Sequence, residues 1–428
     1  MKRFLRIKET LLLGLGMWIC TFPVQAAASE LRVYMSDWQA EEFAPVLEQF
    51  QKNYPDIELT LDVYKMEDGF LNAADKLATE LMAGKGPDLL ISDNVPTGDV
   101  KKLLKSGVFA PMDEFINQDA SWNTEDYIMP VIEGGKFDGV QYVMPLSYDP
   151  VIMVSSKEAM AEMNLTEEVC IDTPSLMKAV AAMYDTEYTE RILAEGVQLF
   201  SFPVYLDGIF LDYNEGEITT DPQIMQEACE AYAKMYEEDA HSISMGYADA
   251  GKSITERNAY VYFPGTAGVY GFIASEMAIA AKETPAIIPL RTIQGETLAE
   301  VETYAGISAN SENKQAAWNL LKMFLTEEGQ KAHTLSNGNY PVLRSAFEAV
   351  LQSEIQRTKE KNIEVSDLSE EFLTDAKEII CNPQKCLMTG NISGEKFQLM
   401  MEPFYYGEAS YEECMQKFQS FAKIYLTE

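Results

Sequence analysis

Residues 76–94, KLATELMAGKGPDLLISDN, constrain the fold more than any other stretch of the chain. A helical stripe that includes Leu77, Ala78 and Leu81 runs into Gly84 and Gly86, which supply a helix C-terminal break, and Pro87 keeps the helix from resuming. The DLLIS that follows is short and continuously apolar, as a strand buried on both faces must be. Upstream, ELRVYMSDW alternates as a strand, and EEFAPVLEQFQKNYPD repeats Phe43, Val46, Leu47, Phe50 and Tyr54 at helical spacing. That helix is expected to end at Tyr54, because Pro55 disfavours the helical conformation in the residue before it. DIELTLDVY then alternates Ile57, Leu59, Leu61 and Val63. The order β-α-β-α-β predicts an α/β fold with a mostly parallel sheet and right-handed crossovers. Asp93 and Asn94 leave the carboxyl end of a central strand, and Trp38 leaves the corresponding end of the first. In open α/β sheets that edge is where ligands bind.

A chain of 428 residues exceeds one ordinary core, so two lobes are expected. No tandem repeat or low-complexity linker separates them, which favours two connected lobes over beads on a string. Three stretches read as crossings between lobes: the strand through Pro145 in FDGVQYVMPLSYDPVIMVS, the strand VETYAGIS, and NGNYPVLRSAF. The expected boundaries are residues 27–145 and 305–340 for lobe 1, and 146–304 and 341–428 for lobe 2. Residues 157–300 read as mainly helical, with KETPAIIPL as a strand, and SENKQAAWNLLKMFLTEEGQKA reads as one amphipathic helix.

The first 26 residues have the basic, apolar and small-residue regions of an export signal, with cleavage expected after Ala26. Met17, Trp18 and Ile19 offer no small residue beside Cys20, which argues against lipid anchoring there. An extracytoplasmic, monomeric protein is expected. The excess of 68 acidic over 33 basic residues, a net charge of −35, repels phosphate backbones and argues against nucleic acid and anionic membranes as partners. Cys381 and Cys386, flanking NPQK, could close a small disulfide loop or remain buried thiols. With two histidines and no C-x-x-C pair, neither a metal site nor a cofactor is expected.

Catalytic signatures are absent. There is no G-x-G-x-x-G or G-x-x-x-x-G-K-[ST] after the first strand and no G-x-S-x-G, and pairs of carboxylates are too numerous to be informative. Aromatic and amide or carboxylate groups do recur at the rim and the crossings: Trp38, Tyr148, Tyr304 and Tyr340, with Asp93, Asn94 and Asp149. Flat aromatic faces cover the C–H face of a sugar ring while carboxylates and amides hydrogen-bond its hydroxyls. The alternatives are a secreted carbohydrate-active enzyme and a sensory receptor for another polar solute.

The stretches LRVYMSDWQAEEFAPVLEQFQKNYPDIELTL, KLATELMAGKGPDLLISDN, LLKSGVFAPMDEFI, FDGVQYVMPLSYDPVIMVSSKEAM and YAGISANSENKQAAWNLLKMFLTEEGQKA, followed by YPVLRSAF, occur in that order. Together they resemble the extracellular solute-binding proteins of ABC importers, in particular the sugar-binding group that includes maltose-type receptors. The resemblance implies a non-catalytic, two-lobed receptor that closes on a solute and presents it to a membrane permease. By position it implies ligand contacts from Trp38 and Asp93 in the first lobe and from Tyr148 and Asp149 near the hinge. It further implies Gly265 and Tyr270 in a second-lobe loop, and Tyr304 and Tyr340 at the later crossings. Tyr205 and Tyr213 stand where sugar receptors commonly carry a second-lobe tryptophan. The tail beyond about residue 350 lies outside the resemblance.

Overall fold

The computed structural model describes residues 29–65, 77–93 apart from 78 and 82, 100–185 apart from 167, 201–239, 247–263, 279–360 apart from 281, 369–388, and 392–427 apart from 393. The export signal, the start of the 71–81 helical stripe, Asn94, Gly265 and Tyr270 lie outside these residues.

The chain opens in the strand, helix, strand order its pattern predicts, but the first strand stops at Ser36, two residues before Trp38, and the helix begins at Asp37 and is broken in two at Phe43. β1 (Ser29–Ser36) is followed by α1 (Asp37–Glu42), α2 (Ala44–Asn53) and β2 (Ile57–Tyr64), and β3 is Leu89–Asp93. α2 ends before Tyr54 and Pro55, and Gly84 takes a positive φ of 67°, a conformation that costs glycine little. β1 pairs in parallel with β2, Ser36 opposite Tyr64, and with β3, Val33 opposite Leu89. The carboxyl ends of all three strands therefore share one rim. KFDGVQ closes as a hairpin between Lys136–Phe137 and Val140–Gln141, with Asp138 and Gly139 at φ 50° and 80°, the geometry of a two-residue turn.

The two long crossings are β4 (Val143–Pro150) and β9 (Leu298–Ile307), both buried along nearly their whole length. β9 lies between β3 and β4 and is antiparallel to both. The third crossing, β10 (Tyr340–Pro341), adds to the far side of β4, and β11 (Lys385–Leu387) pairs in parallel with the start of β9. The central sheet thus runs β10-β4-β9-β3-β1-β2 and is parallel where β1, β2 and β3 meet. Pro145, having no N–H to offer the ladder, faces Tyr304, and the register of β9 slips on the Val301–Tyr304 stretch beside it.

One face of this sheet is covered by α1 and α2 together with α7 (Lys314–Phe324) and α8 (Glu327–Asn337). The single helix read over 311–332 is two. Thr326 caps α8 by accepting from the Gly329 N–H at 3.2 Å, and Glu327 and Glu328 fill its first turn. A Cβ on Gly329 would stand 2.4 Å from the Met323 carbonyl oxygen, so only glycine permits the two helices to meet so closely.

The second body is largely helical. α4 (Thr173–Met183), α5 (Phe202–Asp207) and α6 (Pro222–Asp239) pack together, α11 (Glu395–Tyr405) lies on α6, and α12 (Tyr411–Thr427) lies on α11. Its described strand pairs are antiparallel: β5 (Ile152–Ser156) with β8 (Pro285–Pro289), and the short hairpin β6 (Leu211–Asp212) with β7 (Glu217–Ile218). The tail therefore belongs to this body and to the sheet through β11. Cys170, Cys229, Cys381, Cys386 and Cys414 are all buried free thiols, so Cys381 and Cys386 do not close a loop.

Candidate functional site

The rim is built by a capping motif that the sequence carries in plain sight. Ser36-x-x-Gln39 forms a capping box: Ser36 Oγ accepts from the Gln39 N–H at 3.1 Å, and Gln39 Oε1 accepts from the Ser36 N–H at 3.0 Å. The remaining amide arm of Gln39 donates to Asp93 Oδ1 at 2.8 Å, tying α1 to the end of β3. Thr303 Oγ donates to the same oxygen at 2.8 Å, tying β3 to the crossing strand β9. Burial raises the Asp93 pKa above the ordinary carboxylate value against the pull of these hydrogen bonds, with the Glu42 carboxylate adding to the rise.

Trp38 sits in the first turn of α1 and is 65% exposed. Trp318 is buried and Trp122 stacks on Tyr127, so among the described tryptophans Trp38 alone presents most of its ring to solvent. An exposed large ring on a capped helix at this rim is an informative surface.

The crossing tyrosines are placed differently. Tyr148, Tyr304 and Tyr340 are fully buried, Tyr148 donates to the Ile380 carbonyl at 2.9 Å, and the rings of Tyr148 and Tyr340 lie 5.9 Å apart. They pack the joint between the bodies. Tyr205, on α5, is also buried, and its hydroxyl donates to Glu300. Tyr213 is buried near the β6–β7 hairpin, with Lys101 Nζ 5.4 Å over its ring.

Three carboxylates converge on the crossing strands. Asp149 stands directly opposite Glu300 across the β4–β9 ladder, an arrangement that costs stability when both are charged. Asp149 is buried and takes one hydrogen bond, from Asn339 at 3.0 Å, while its Oδ1 receives none from the described residues. Glu302 falls in the register slip of β9, and although the residue is half-buried its Oε1 is sealed from solvent and likewise receives no hydrogen bond. Burial holds both carboxyls well above their usual range, reinforced for Asp149 by Glu300 and for Glu302 by Asp149, Glu300 and Asp93. Among the described residues no cluster of histidine, cysteine and carboxylate is arranged to hold a metal ion.

A serine–histidine–carboxylate alignment also emerges. His333 Nδ1 meets Glu42 Oε2 at 2.8 Å, and its Nε2 meets Ser147 Oγ at 3.3 Å. Ser147 is completely buried in β4, between its partners on β9 and β10, so its hydroxyl cannot be approached by a substrate carbonyl. The alignment instead ties α1, the helix of Trp38, through α8 to a crossing strand.

Gln39, Thr303, Glu300, Glu302 and Asn339 were not singled out from sequence. The S-x-x-Q spacing was a readable signal for Gln39, and two acids at period 2 in the otherwise buried strand LAEVETYAGI were a readable signal for Glu300 and Glu302.

Solved structures share this architecture. The sugar-binding protein MalE of Xanthomonas citri aligns over 93% of this chain and 98% of its own, at 17% identity and a TM-score of 0.66. An ABC substrate-binding protein of Listeria monocytogenes, solved with cycloalternan, aligns over 93% and 99%, at 17% identity and a TM-score of 0.57. A solute-binding protein of Thermotoga lettingae, solved with α-D-tagatose, aligns over 93% and 100%, at 18% identity and a TM-score of 0.55. No curated protein sequence matches the chain. At these identities the structures speak for the two-lobed fold, and the family is carried by a sequence model that matches residues 36–331: the chain belongs to the bacterial extracellular solute-binding proteins.

Proposed function

We propose that this solute-binding protein captures a sugar or oligosaccharide by closure of its lobes and delivers it to the permease of an ABC importer, without catalysing a reaction. The observation that carries the reading is that one capped helix on the rim carries both the exposed Trp38 and Gln39, and Gln39 holds the Asp93 carboxylate together with Thr303. An aromatic face with hydrogen-bond acceptors beside it suits a polyhydroxylated ring. The structural relatives named for sugars support the same class.

In this reading Trp38 stacks on the solute and Asp93 accepts its hydroxyls, with Asn94, Gly265 and Tyr270 as further contacts. Tyr148, Asp149, Tyr205, Tyr304 and Tyr340 shape the joint about which the lobes close, Tyr213 stands at the edge of the second lobe, and the lobes divide at the boundaries expected from sequence. The protein acts as an extracytoplasmic monomer, released by cleavage after Ala26 and not lipidated at Cys20. No helix among the described residues is long and apolar enough to cross a membrane.

A thermal-shift screen against mono- and oligosaccharides tests the solute class, because a ligand that binds only the folded form raises its melting temperature. Stabilisation by a saccharide is expected. Stabilisation by peptides or amino acids alone would remove the sugar reading, and release of new reducing ends from the stabilising saccharide would make the protein an enzyme.

A further inference from the structure

α1 is six residues long, too short to hold a place of its own, so what fixes it decides where Trp38 stands. Its first turn is fixed by the capping box and by the Gln39–Asp93 bond. Its last residue, Glu42, lies one turn beyond Trp38, and the Glu42 carboxylate meets His333 Nδ1 at 2.8 Å. The two side chains are 10% and 1% exposed, so water does not compete for this bond. Phe43, the next residue, stacks on the His333 ring with centroids 5.0 Å apart. One imidazole thus meets the end of α1 with its edge and the α1–α2 junction with its face.

His333 can serve as a fixed point because the helix that carries it is itself docked on the crossings. Gln330, about one turn earlier on α8, uses its whole amide. Its Nε2 donates to the Leu146 and Phe324 carbonyls at 3.0 and 3.1 Å, and its Oε1 accepts from the Val342 and Leu343 N–H groups at 2.7 and 3.3 Å. Leu146 lies in β4, and Val342 follows β10. His333 Nε2 adds contacts with Ser147 Oγ, also in β4, at 3.3 Å and with Asn337 Nδ2 at 3.0 Å. A carboxylate only accepts, so Nδ1 carries a proton toward Glu42. An apolar side chain would fill the space between Phe43 and β4 without the cost of desolvation, whereas a buried histidine–carboxylate pair fixes one geometry.

We propose that His333 is a positioning residue for the solute site, its bond to Glu42 holding α1 in the orientation that presents Trp38 to the solute. The proposal rests on the reading of the rim as the solute site and deepens it. It requires no particular arrangement of the lobes, because α1 and α8 cover the same sheet that contains β4. Without the bond, α1 takes other orientations about its capped end, and the apparent affinity falls with the fraction of molecules in which the binding orientation is kept.

Fluorine NMR of the mature protein labelled with fluorotryptophan tests it without any solute. From residue 27 onward the chain carries three tryptophans, Trp38, Trp122 and Trp318, and Trp38→Phe assigns the Trp38 line. In His333→Leu the Trp38 line is expected to shift or broaden while those of Trp122 and Trp318 hold. In His333→Asn, whose amide can donate to Glu42 as Nδ1 does, the parent line is expected to return. A Trp38 line unchanged in His333→Leu, one disturbed equally in His333→Asn, or a disturbance of all three lines alike overturns the proposal. Should His333→Leu fail to fold because Glu42 is left buried and unpaired, Glu42→Leu/His333→Leu, which replaces the pair by apolar side chains, carries the same expectations. With a stabilising saccharide, His333→Leu is expected to bind about 3- to 10-fold more weakly. Most of that loss is expected to vanish in a Trp38→Ala background, because the effect passes through α1, and a loss as large with Trp38 absent overturns the proposal. If no saccharide binds the parent, the sugar reading fails while the fluorine lines still decide what holds α1.

Discussion

Trp38 and the trio Tyr148, Tyr304 and Tyr340 look alike in the sequence, as aromatics at the ends of strands or at crossings, and the structure separates them. Trp38 stands largely exposed in the first turn of a helix closed by a capping box. The tyrosines sit on strands flanked by other strands, where every ring is enclosed. An aromatic at a strand terminus is free to meet a solute only if the chain turns outward there. One that continues across two bodies becomes part of what joins them.

The largest effect expected from breaking this comparison is at the joint. Tyr148→Ala removes a fully buried ring and leaves the Ile380 carbonyl without its donor, and should cost about 3–5 kcal/mol of fold stability in a denaturation measurement. A loss under about 1 kcal/mol would mean that the crossing is loosely packed and the tyrosine available to ligand.

Trp38→Ala should do the reverse. Its expected cost is about 1–3 kcal/mol of saccharide affinity by titration calorimetry, with the melting temperature of the unliganded protein nearly unchanged. Lost stability with unaltered affinity would place Trp38 with the tyrosines and dissolve the contrast.

The hinge carboxyls sharpen the comparison at smaller scale. The raised pKa values of Asp149 and Glu302 mean that the folded chain binds protons more tightly than the unfolded one. Their favourable contribution is fully present below the unfolded carboxylate values, about 4, and is lost as pH rises through the raised folded values. Asp149→Asn/Glu302→Gln should therefore melt higher than the parent at pH 7, by roughly 1 °C for about 1 kcal/mol in a chain of this length, with the difference vanishing toward pH 4. A variant that melts lower than the parent at pH 7, by a margin that shrinks on acidification, would mean that both carboxylates are satisfied as anions.

The smallest effect concerns Cys381 and Cys386. Thiol titration of the denatured, unreduced protein should count both as free.

Much of the first lobe was legible because its signals are local. Gly84, Pro87 and the run from Leu89 to Ile91 announce a helix stop and a doubly buried strand, and Pro55 announces the end of α2, each through a backbone restriction acting within a few residues. The break between α7 and α8 was missed although Thr326 and the acids after it are helix-start signals, because the apolar stripe continues on both sides. Glu302 was missed for another reason. Its position in the register slip depends on Pro145, far away in sequence and opposite only once β4 and β9 pair.

The sequence by itself determined the alternation of strand and helix at the start of the chain, the shared rim at the carboxyl ends of β1 and β3, and membership of the solute-binding family. Only the tertiary structure decided which aromatics face solvent, which carboxylates are sealed into the joint, and that lysines near residue 100 meet the last turn of α12. Propensity, capping and proline effects act between neighbours along the chain. Burial and ion–carbonyl contact depend on what folding brings alongside, and Lys105 and Leu426 are 321 residues apart until it does.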